Sequence, residues 1–284
     1  MGESVGPRWG GHKLTIFTQP GRFECHFEPR LNPGNKRGQR LIGNKLQPKL
    51  EIFSESGIKD WGREAANNIT INDYSELRVL KSDRQTYSAQ IEVKGKPLVL
   101  KIPRARNARP WHRFLSLFRR SEAVRHYYSM RKLQSLGFHC PEPVLAAEQR
   151  KNGFLLCSFL LYHYIEGDKP GAEHEKQIVS ELLRLHSQGF LRRDPHAKNF
   201  LINGDQVIFI DFRLSRPLLF RQIRLHRELS AFLRTSPNAL AYVPNHIQKS
   251  WAFLIGQTLD QVLTRYKHGR RRLRARLRNS GEKS

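Results

Sequence analysis

Nine residues near the middle of the 284-residue chain constrain it most: Arg192-Arg193-Asp194-Pro195-His196-Ala197-Lys198-Asn199-Phe200. They lead into an apolar run, Val207-Ile208-Phe209-Ile210, that ends at Asp211-Phe212. A kinase-type phosphotransferase needs, in chain order, a carboxylate that accepts a proton from the acceptor hydroxyl, then an amide and a second carboxylate that hold magnesium on the nucleotide phosphates. Asp194 fits the first role, and Asn199 and Asp211 fit the other two. An Asp and an Asn at this spacing also occur by accident in polar loops. The flanking pattern therefore carries the argument.

Before the loop, Lys176 to Gln188 places Ile178, Val179, Leu182 and Leu185 on one helical face, and Gly189 reads as its stop. After it, Phe200 to Ile202, the turn Asn203-Gly204-Asp205 and Gln206 to Phe212 predict a hairpin, because Asn-Gly tolerates positive φ. His186 reads as scaffold. Arg192 stands where many kinases carry histidine, and Arg213 stands where their metal-binding tripeptide has glycine, which favours a constitutive enzyme over a mobile activation segment. His196 packs under the loop or contacts phosphate. Arg193 and Lys198 either meet anionic groups or remain solvated loop charges.

Upstream, Tyr87 to Val93 and Leu98-Val99-Leu100-Lys101-Ile102 predict a second hairpin that sets Lys101 in an apolar strand. A buried lysine without a partner costs several kcal/mol, unless its stem snorkels to water. Glu122, on a helix capped by Ser121 and running to Leu136, is the candidate partner; an ordinary first-turn carboxylate is the plainer account. No Gly-x-Gly-x-x-Gly loop precedes Lys101, so phosphate contacts fall to backbone amides, Thr86 or Arg84. Gly137 and Cys140-Pro141-Glu142-Pro143 then lead to Val144-Leu145-Ala146. Two apolar runs, Phe154 to Cys157 and Phe159 to Ile165, approach a linker where Tyr164, Ile165 or Glu166 meets adenine. The pattern predicts an α+β, two-lobed protein-kinase-like fold: an antiparallel-sheet N-lobe with one main helix and a small, mostly helical C-lobe. ATP and Mg2+ are the expected cofactors.

The chain resembles the lipopolysaccharide core heptose(II) kinase family of Gram-negative envelopes. The resemblance rests on Arg84-Gln85-Thr86-Tyr87, Val99-Leu100-Lys101-Ile102-Pro103-Arg104, Arg113-Phe114-Leu115-Ser116-Leu117-Phe118-Arg119, Ser121-Glu122-Ala123 and the Asp194 to Phe200 signature, across roughly residues 77 to 230. It implies transfer of the ATP γ-phosphoryl group to a hydroxyl of heptose, heptose II foremost, in nascent lipopolysaccharide. A kinase acting on the neighbouring octulosonic acid (Kdo) sugar is the near alternative. A nucleic-acid-binding protein or a pseudokinase scaffold is the alternative of another class.

A formal net charge of +25 and a pI near 10.6 imply an anionic partner. Basic residues thicken at Arg104 to Arg120 and at Arg265 to Arg278. The second stretch reads as a basic tail or short amphipathic helix suited to anionic headgroups. Finger spacing, RNA-binding sheet motifs and heptads are not found, so no specific nucleic acid is expected. Cys25, Cys140 and Cys157 suggest neither a disulfide framework nor zinc. With no run of about 18 apolar residues and no signal-peptide pattern, the expectation is a cytoplasmic protein, peripheral on the inner face of the inner membrane. Expected boundaries are an extension at 1–74, β-rich and packed on the N-lobe, with strands at Lys13 to Phe17, Phe23 to Phe27 and Leu50 to Phe53 around a loop at Arg30 to Gln47; an N-lobe at 75–167; a C-lobe at 168–264, closed by helices at Leu218 to Phe232 and Ile247 to Leu263; and a basic tail at 265–284. Arg227 and Glu228 read as a helix-surface ion pair, with a place in the acceptor site as the alternative.

Overall fold

A computed structural model describes residues 18–19, 22–23, 49–55, 58–70, 74–83, 85–93, 95–104 and 115–281, with side chains at 18–19, 22–23, 59–60, 271 and 273–281 excepted. The expected strand Lys13 to Phe17, residues 24–27, the loop Arg30 to Gln47, Cys25, Arg84 and the basic residues between 105 and 114 lie outside the described residues. Contacts divide the chain into two compact units, Met1–Tyr127 with Pro143–Tyr164, and Tyr128–Glu142 with Ile165–Ser284. The architecture is α+β, as expected.

The first unit is built on a six-stranded sheet. In chain order its elements are β3 (Lys49–Ser54), α1 (Lys59–Thr70), β4 (Ser75–Ser82), β5 (Thr86–Val93), β6 (Lys96–Pro103), β7 (Pro143–Lys151) and β8 (Phe154–His163). A separate ladder pairs β1 (Thr18–Gln19) with β2 (Arg22–Phe23). The sheet order is β3-β7-β8-β6-β5-β4, antiparallel throughout. Strand periodicity of two sends Tyr87, Ala89, Ile91, Leu98, Leu100 and Ile102 to one face, where they pack with Ala66 and Ile69 of α1. Gly62 lets that helix approach β7: an added Cβ would lie 3.3 Å from Leu145 Cδ2 and 3.1 Å from Ile58 Cγ2. The two apolar runs expected at Phe154 to Cys157 and Phe159 to Ile165 form the single strand β8.

A buried carboxylate organises the start of α2 (Glu122–Ser135). Glu148, with no exposed surface, accepts hydrogen bonds from Ser121 N at 2.7 Å, Arg150 Nε at 2.9 Å and Arg120 Nη1 at 3.1 Å. Arg150 also donates to the carbonyls of Ser116, Arg119 and Gly153, tying down the segment ahead of the helix. Ser121 Oγ accepts from Val124 N, the expected cap. Burial alone would push the Glu148 carboxyl up, but the bonds from Arg150 and Ser121 outweigh it and hold it below its ordinary 4.5.

The second unit contains α3 (Glu175–Ser187), the hairpin of β9 (Phe200–Asn203) and β10 (Gln206–Phe209), α4 (Arg221–Leu233), the short α5 (Asn245–Gln248) and α6 (Trp251–Gly281). The hairpin turn is Gly204-Asp205, since Asn203 pairs with Gln206, and only Gly204 takes a positive φ, of 55°. Strand β10 stops at Phe209, short of the expected Phe212. Phe200, Phe209, Phe212 and Phe232 stack edge to face, with neighbouring centroids 5.2 to 6.4 Å apart. α6 presses on α4 at Gly256, where a Cβ would lie 2.7 Å from Arg227 N. It runs unbroken for 31 residues through the stretch expected to be a tail.

Removing one side of a buried, multiply bonded charge costs roughly 3 to 5 kcal/mol. Glu148→Gln is expected to lower the unfolding free energy by about 3 kcal/mol at pH 7, measured by denaturant titration. Because the folded carboxyl titrates below its ordinary 4.5, that stabilisation is present above this value and is lost as pH falls through the lowered one. The gap between wild type and variant should therefore close in acid.

Candidate active site

The loop carrying Asp194 holds an unusual backbone. Arg193, Asp194 and Asp211 have φ of 54°, 59° and 48°, a left-handed conformation that costs a side-chain-bearing residue about 1 kcal/mol or more. Surrounding bonds hold it there. Glu228 of α4, buried, accepts from Arg192 N at 3.1 Å and from Arg193 N, and lies 3.0 Å from His186 Nε2 of α3. Leu191 and Ser215 exchange two backbone bonds of 2.8 Å, and Arg213 N donates to Arg192 O at 2.7 Å. The stretch after Asp211 is thus zipped to the loop, in keeping with a segment that is not a mobile switch. Glu228 is correspondingly no surface ion pair with Arg227, because its carboxylate is turned inward.

Within the loop Asn199 Nδ2 donates to Asp194 O at 2.9 Å and to Asp194 Oδ2 at 3.3 Å. The first two expected site residues therefore touch. His196 Nε2 lies 3.0 Å from Asp194 Oδ1, a contact that the sequence did not specify. Asp194 remains exposed, as an acceptor-facing group must. Asn199 is buried, and Asp211 lies exposed just beyond β10.

Arg192 connects the two expected metal ligands. Its side chain is fully buried, and Nη2 donates to the carbonyls of Asn199 at 3.1 Å and Ile210, the residue before Asp211, at 3.0 Å. Its guanidinium lies 4.1 Å from the Phe200 ring centroid and 5.6 Å from that of Phe209. Burial pushes its pKa down to about 10, while the charges of Glu228, Asp194 and Asp211 pull it back up, so it stays a cation at neutral pH.

In the first unit Lys101 is half-buried on β6, opposite Ser88 of β5 and Leu160 of β8. Thr86 pairs with Pro103, two places farther along the same ladder. The loop before it is closed on itself: Asp83 Oδ1 accepts from Gln85 N and Thr86 N, each at 2.7 Å, and Asp83 N donates to Thr86 O. Those two amides are thus engaged within the turn. Arg84 lies outside the described residues. Glu122 lines a cavity of about 140 Å3 together with Arg119, Arg120, Arg125 and Ser158.

Among the described residues no three His, Cys, Asp or Glu side chains gather as a metal cage. Magnesium on nucleotide phosphates does not require one, because it is held by one or two protein oxygens and completed by phosphate and water. Asn199, whose amide nitrogen is committed to Asp194 and whose oxygen is thereby turned away, and the exposed Asp211 suit that chemistry.

The strand lysine Lys101, the helix carboxylate Glu122, the loop residues Asp194 and Asn199, and Asp211 after the hairpin follow the chain order of the groups in a kinase-type phosphotransferase. The chain belongs to a more particular family. Residues 47–233 match the family model described as lipopolysaccharide core biosynthesis protein (WaaY). No curated protein matches it. Among solved structures it is similar to WaaP in complex with acyl carrier protein, at 16% identity and a TM-score of 0.44 over 78% of this chain and 94% of that one. It is also similar to the Mycobacterium tuberculosis PknI kinase domain, at 17% identity and a TM-score of 0.38 over 60% and 73% of the two chains.

Sequence reasoning put Glu228 on the helix surface and saw Arg192 only as a departure. A charged residue inside an otherwise apolar helical face, Leu225, Glu228, Leu229 and Phe232, was the available signal for the first. Glu228→Ala leaves two backbone amides and His186 without their acceptor, and is expected to cost about 3 kcal/mol of unfolding free energy. Arg224→Ala, on the exposed face of the same helix, should stay within about 0.5 kcal/mol; thermal and denaturant unfolding of both variants checks the contrast.

Proposed function

We propose that this protein transfers the γ-phosphoryl group of ATP to a sugar hydroxyl of the lipopolysaccharide inner core, with heptose II as the acceptor. The observation that carries the reading is the Asp194–Asn199 contact on a loop whose strained backbone is clamped by Glu228. Membership of a lipopolysaccharide core biosynthesis family supports the acceptor class, and the earlier resemblance supports heptose.

In this reading Asp194 accepts a hydrogen bond from the acceptor hydroxyl, aims the hydroxyl oxygen at the γ-phosphorus and takes its proton as the new O–P bond forms and the bond from the γ-phosphorus to the bridging oxygen breaks, with ADP as the leaving group. His196 holds the second carboxylate oxygen, which fixes which lone pair of Asp194 faces the acceptor. Asn199 and Asp211 would hold Mg2+, which would neutralise charge on the phosphate oxygens. Arg192 keeps those two ligands in register through the backbone on either side of the hairpin. Lys101 binds phosphate, Glu122 orients that lysine, and the Thr86 hydroxyl supplies a further contact. Phosphoryl transfer passes through a loose transition state, so positioning contributes more than base strength. The protein would work at the inner face of the inner membrane, where ATP and the growing glycolipid meet; no helix of the described residues is long and apolar enough to cross a membrane.

Asp194→Asn is expected to keep nucleotide affinity while turnover falls about a hundredfold or more. Asp211→Asn should also lose magnesium-dependent nucleotide binding, read by calorimetry with and without the metal. Equal and mild effects from both substitutions would contradict these roles.

A further inference from the structure

The second unit exposes an apolar surface that the phosphotransfer chemistry does not use. α6 turns Ala252, Phe253 and Gly256 inward, and Gly256 meets α4. On another side Trp251, Ile255, Leu259, Val262 and Tyr266 follow at steps of four, four, three and four residues, which aligns them along one helical line. All five are exposed among the described residues, Trp251 at 66% and Val262 at 54%. Directly ahead of α4, Leu218, Leu219 and Phe220 are 89%, 71% and 76% exposed. Phe220 takes a left-handed φ of 51°, so the chain turns sharply there. Helix α4 begins only at Arg221, later than the sequence pattern indicated, because these three apolar residues stand outside it.

Beyond the stripe α6 becomes strongly basic. Between Arg265 and Arg278 the sequence has eight Arg or Lys and no acidic residue. Two copies packed in parallel along such helices would bring those cations together, an arrangement that like-charge repulsion disfavours. A helix about 46 Å long, apolar along one line in its first half and cationic in its second, matches a surface with a hydrocarbon layer beneath anionic headgroups. Trp251 and Tyr266 at the two ends of the stripe are side chains that settle at such a boundary. The isolated loop tip Leu218-Leu219-Phe220 suits insertion into lipid and has no helical spacing to fit a groove in a partner protein.

We infer that the α6 stripe and the Leu218–Phe220 tip form a docking surface for an anionic phospholipid bilayer, with the helix lying in the plane of the headgroups. This deepens the reading above by giving the enzyme a way to reach a membrane-held glycolipid, yet its test needs no catalysis. The full-length protein is titrated with vesicles of phosphatidylglycerol and phosphatidylethanolamine, and with neutral phosphatidylcholine vesicles. Binding is followed by co-sedimentation, and insertion by quenching of tryptophan with brominated lipid. Val262→Glu and Leu219→Glu, both at exposed positions, should each weaken binding to anionic vesicles at least tenfold. Gln261→Glu, which adds the same charge off the stripe, should change it less than threefold.

Wild-type protein should also be quenched by brominated anionic vesicles and retain part of its binding at 0.5 M salt. Equal binding by all three variants would overturn the inference, as would binding abolished by salt without quenching, which would leave only charge attraction. A wild-type dimer in sedimentation equilibrium that Val262→Glu dissociates would assign the stripe to a second copy and equally overturn it. Loss of phosphotransfer to a soluble core oligosaccharide with vesicle binding intact would count against the catalytic reading alone.

Discussion

The carboxylate of Glu228 is the group on which the conformation of the Asp194 loop depends. It sits inside the second unit, accepts from two consecutive backbone amides and faces His186, so that three elements, α3, the loop and α4, meet at one charge. A charge removed from water is costly unless its lone pairs are satisfied, and here the satisfying groups are the backbone that has to be placed. Left-handed φ at Arg193 and Asp194 would relax in a free peptide. In the folded chain the amide bonds to Glu228 and the Leu191–Ser215 pair leave no room to do so. Strain of this kind is observed where geometry matters more than stability, and Asp194 is the exposed product of it.

Arg192 extends the same logic to the far side of the hairpin. One nitrogen, Nη2, donates both to the carbonyl of Asn199 and to that of Ile210, which precedes Asp211. Its two N–H groups hold the two carbonyls together while the guanidinium lies against Phe200 and Phe209. The departure from the histidine common at this position is therefore a different way to tie the same two backbone segments together. In the first unit Glu148 performs a comparable task for α2, gathering Ser121, Arg120 and Arg150 at the helix start where Glu122 begins. In both units the polar core fixes where a functional segment starts, and the apolar core supplies the bulk.

Much of this was legible in the residues. Helix α3, the β9–β10 hairpin and the strand carrying Lys101 were readable because their periodicities are clean, and Ser121 signalled its cap. Helix α1 was not, because Lys59 to Thr70 buries only the small Ala65 and Ala66 and one large aliphatic, Ile69, with Trp61 partly buried against the same core, too little apolar surface to stand out. Strand β4 was missed for the opposite reason: it is an edge strand exposed along its length, so no alternation marks it. The basic stretch read as a tail or a short amphipathic helix; Arg, Leu and Ala are strong helix formers, and they carry α6 straight through it. Glu228 could not be matched to its loop, since the bond spans 35 residues and only the fold closes that distance. The closed Asp83 turn, likewise, is a matter of backbone direction that residue types alone did not specify.

Phosphorylation of a core sugar by a loop so positioned is the central claim, and the product tests it most directly. Lipopolysaccharide core oligosaccharide is incubated with the protein, ATP and magnesium, and the product is fragmented in a mass spectrometer to locate any added phosphate. The account predicts one phosphate on heptose II. Phosphate on the octulosonic acid would keep the chemistry and contradict the acceptor, and no transfer by a protein that binds the nucleotide normally would contradict the account itself.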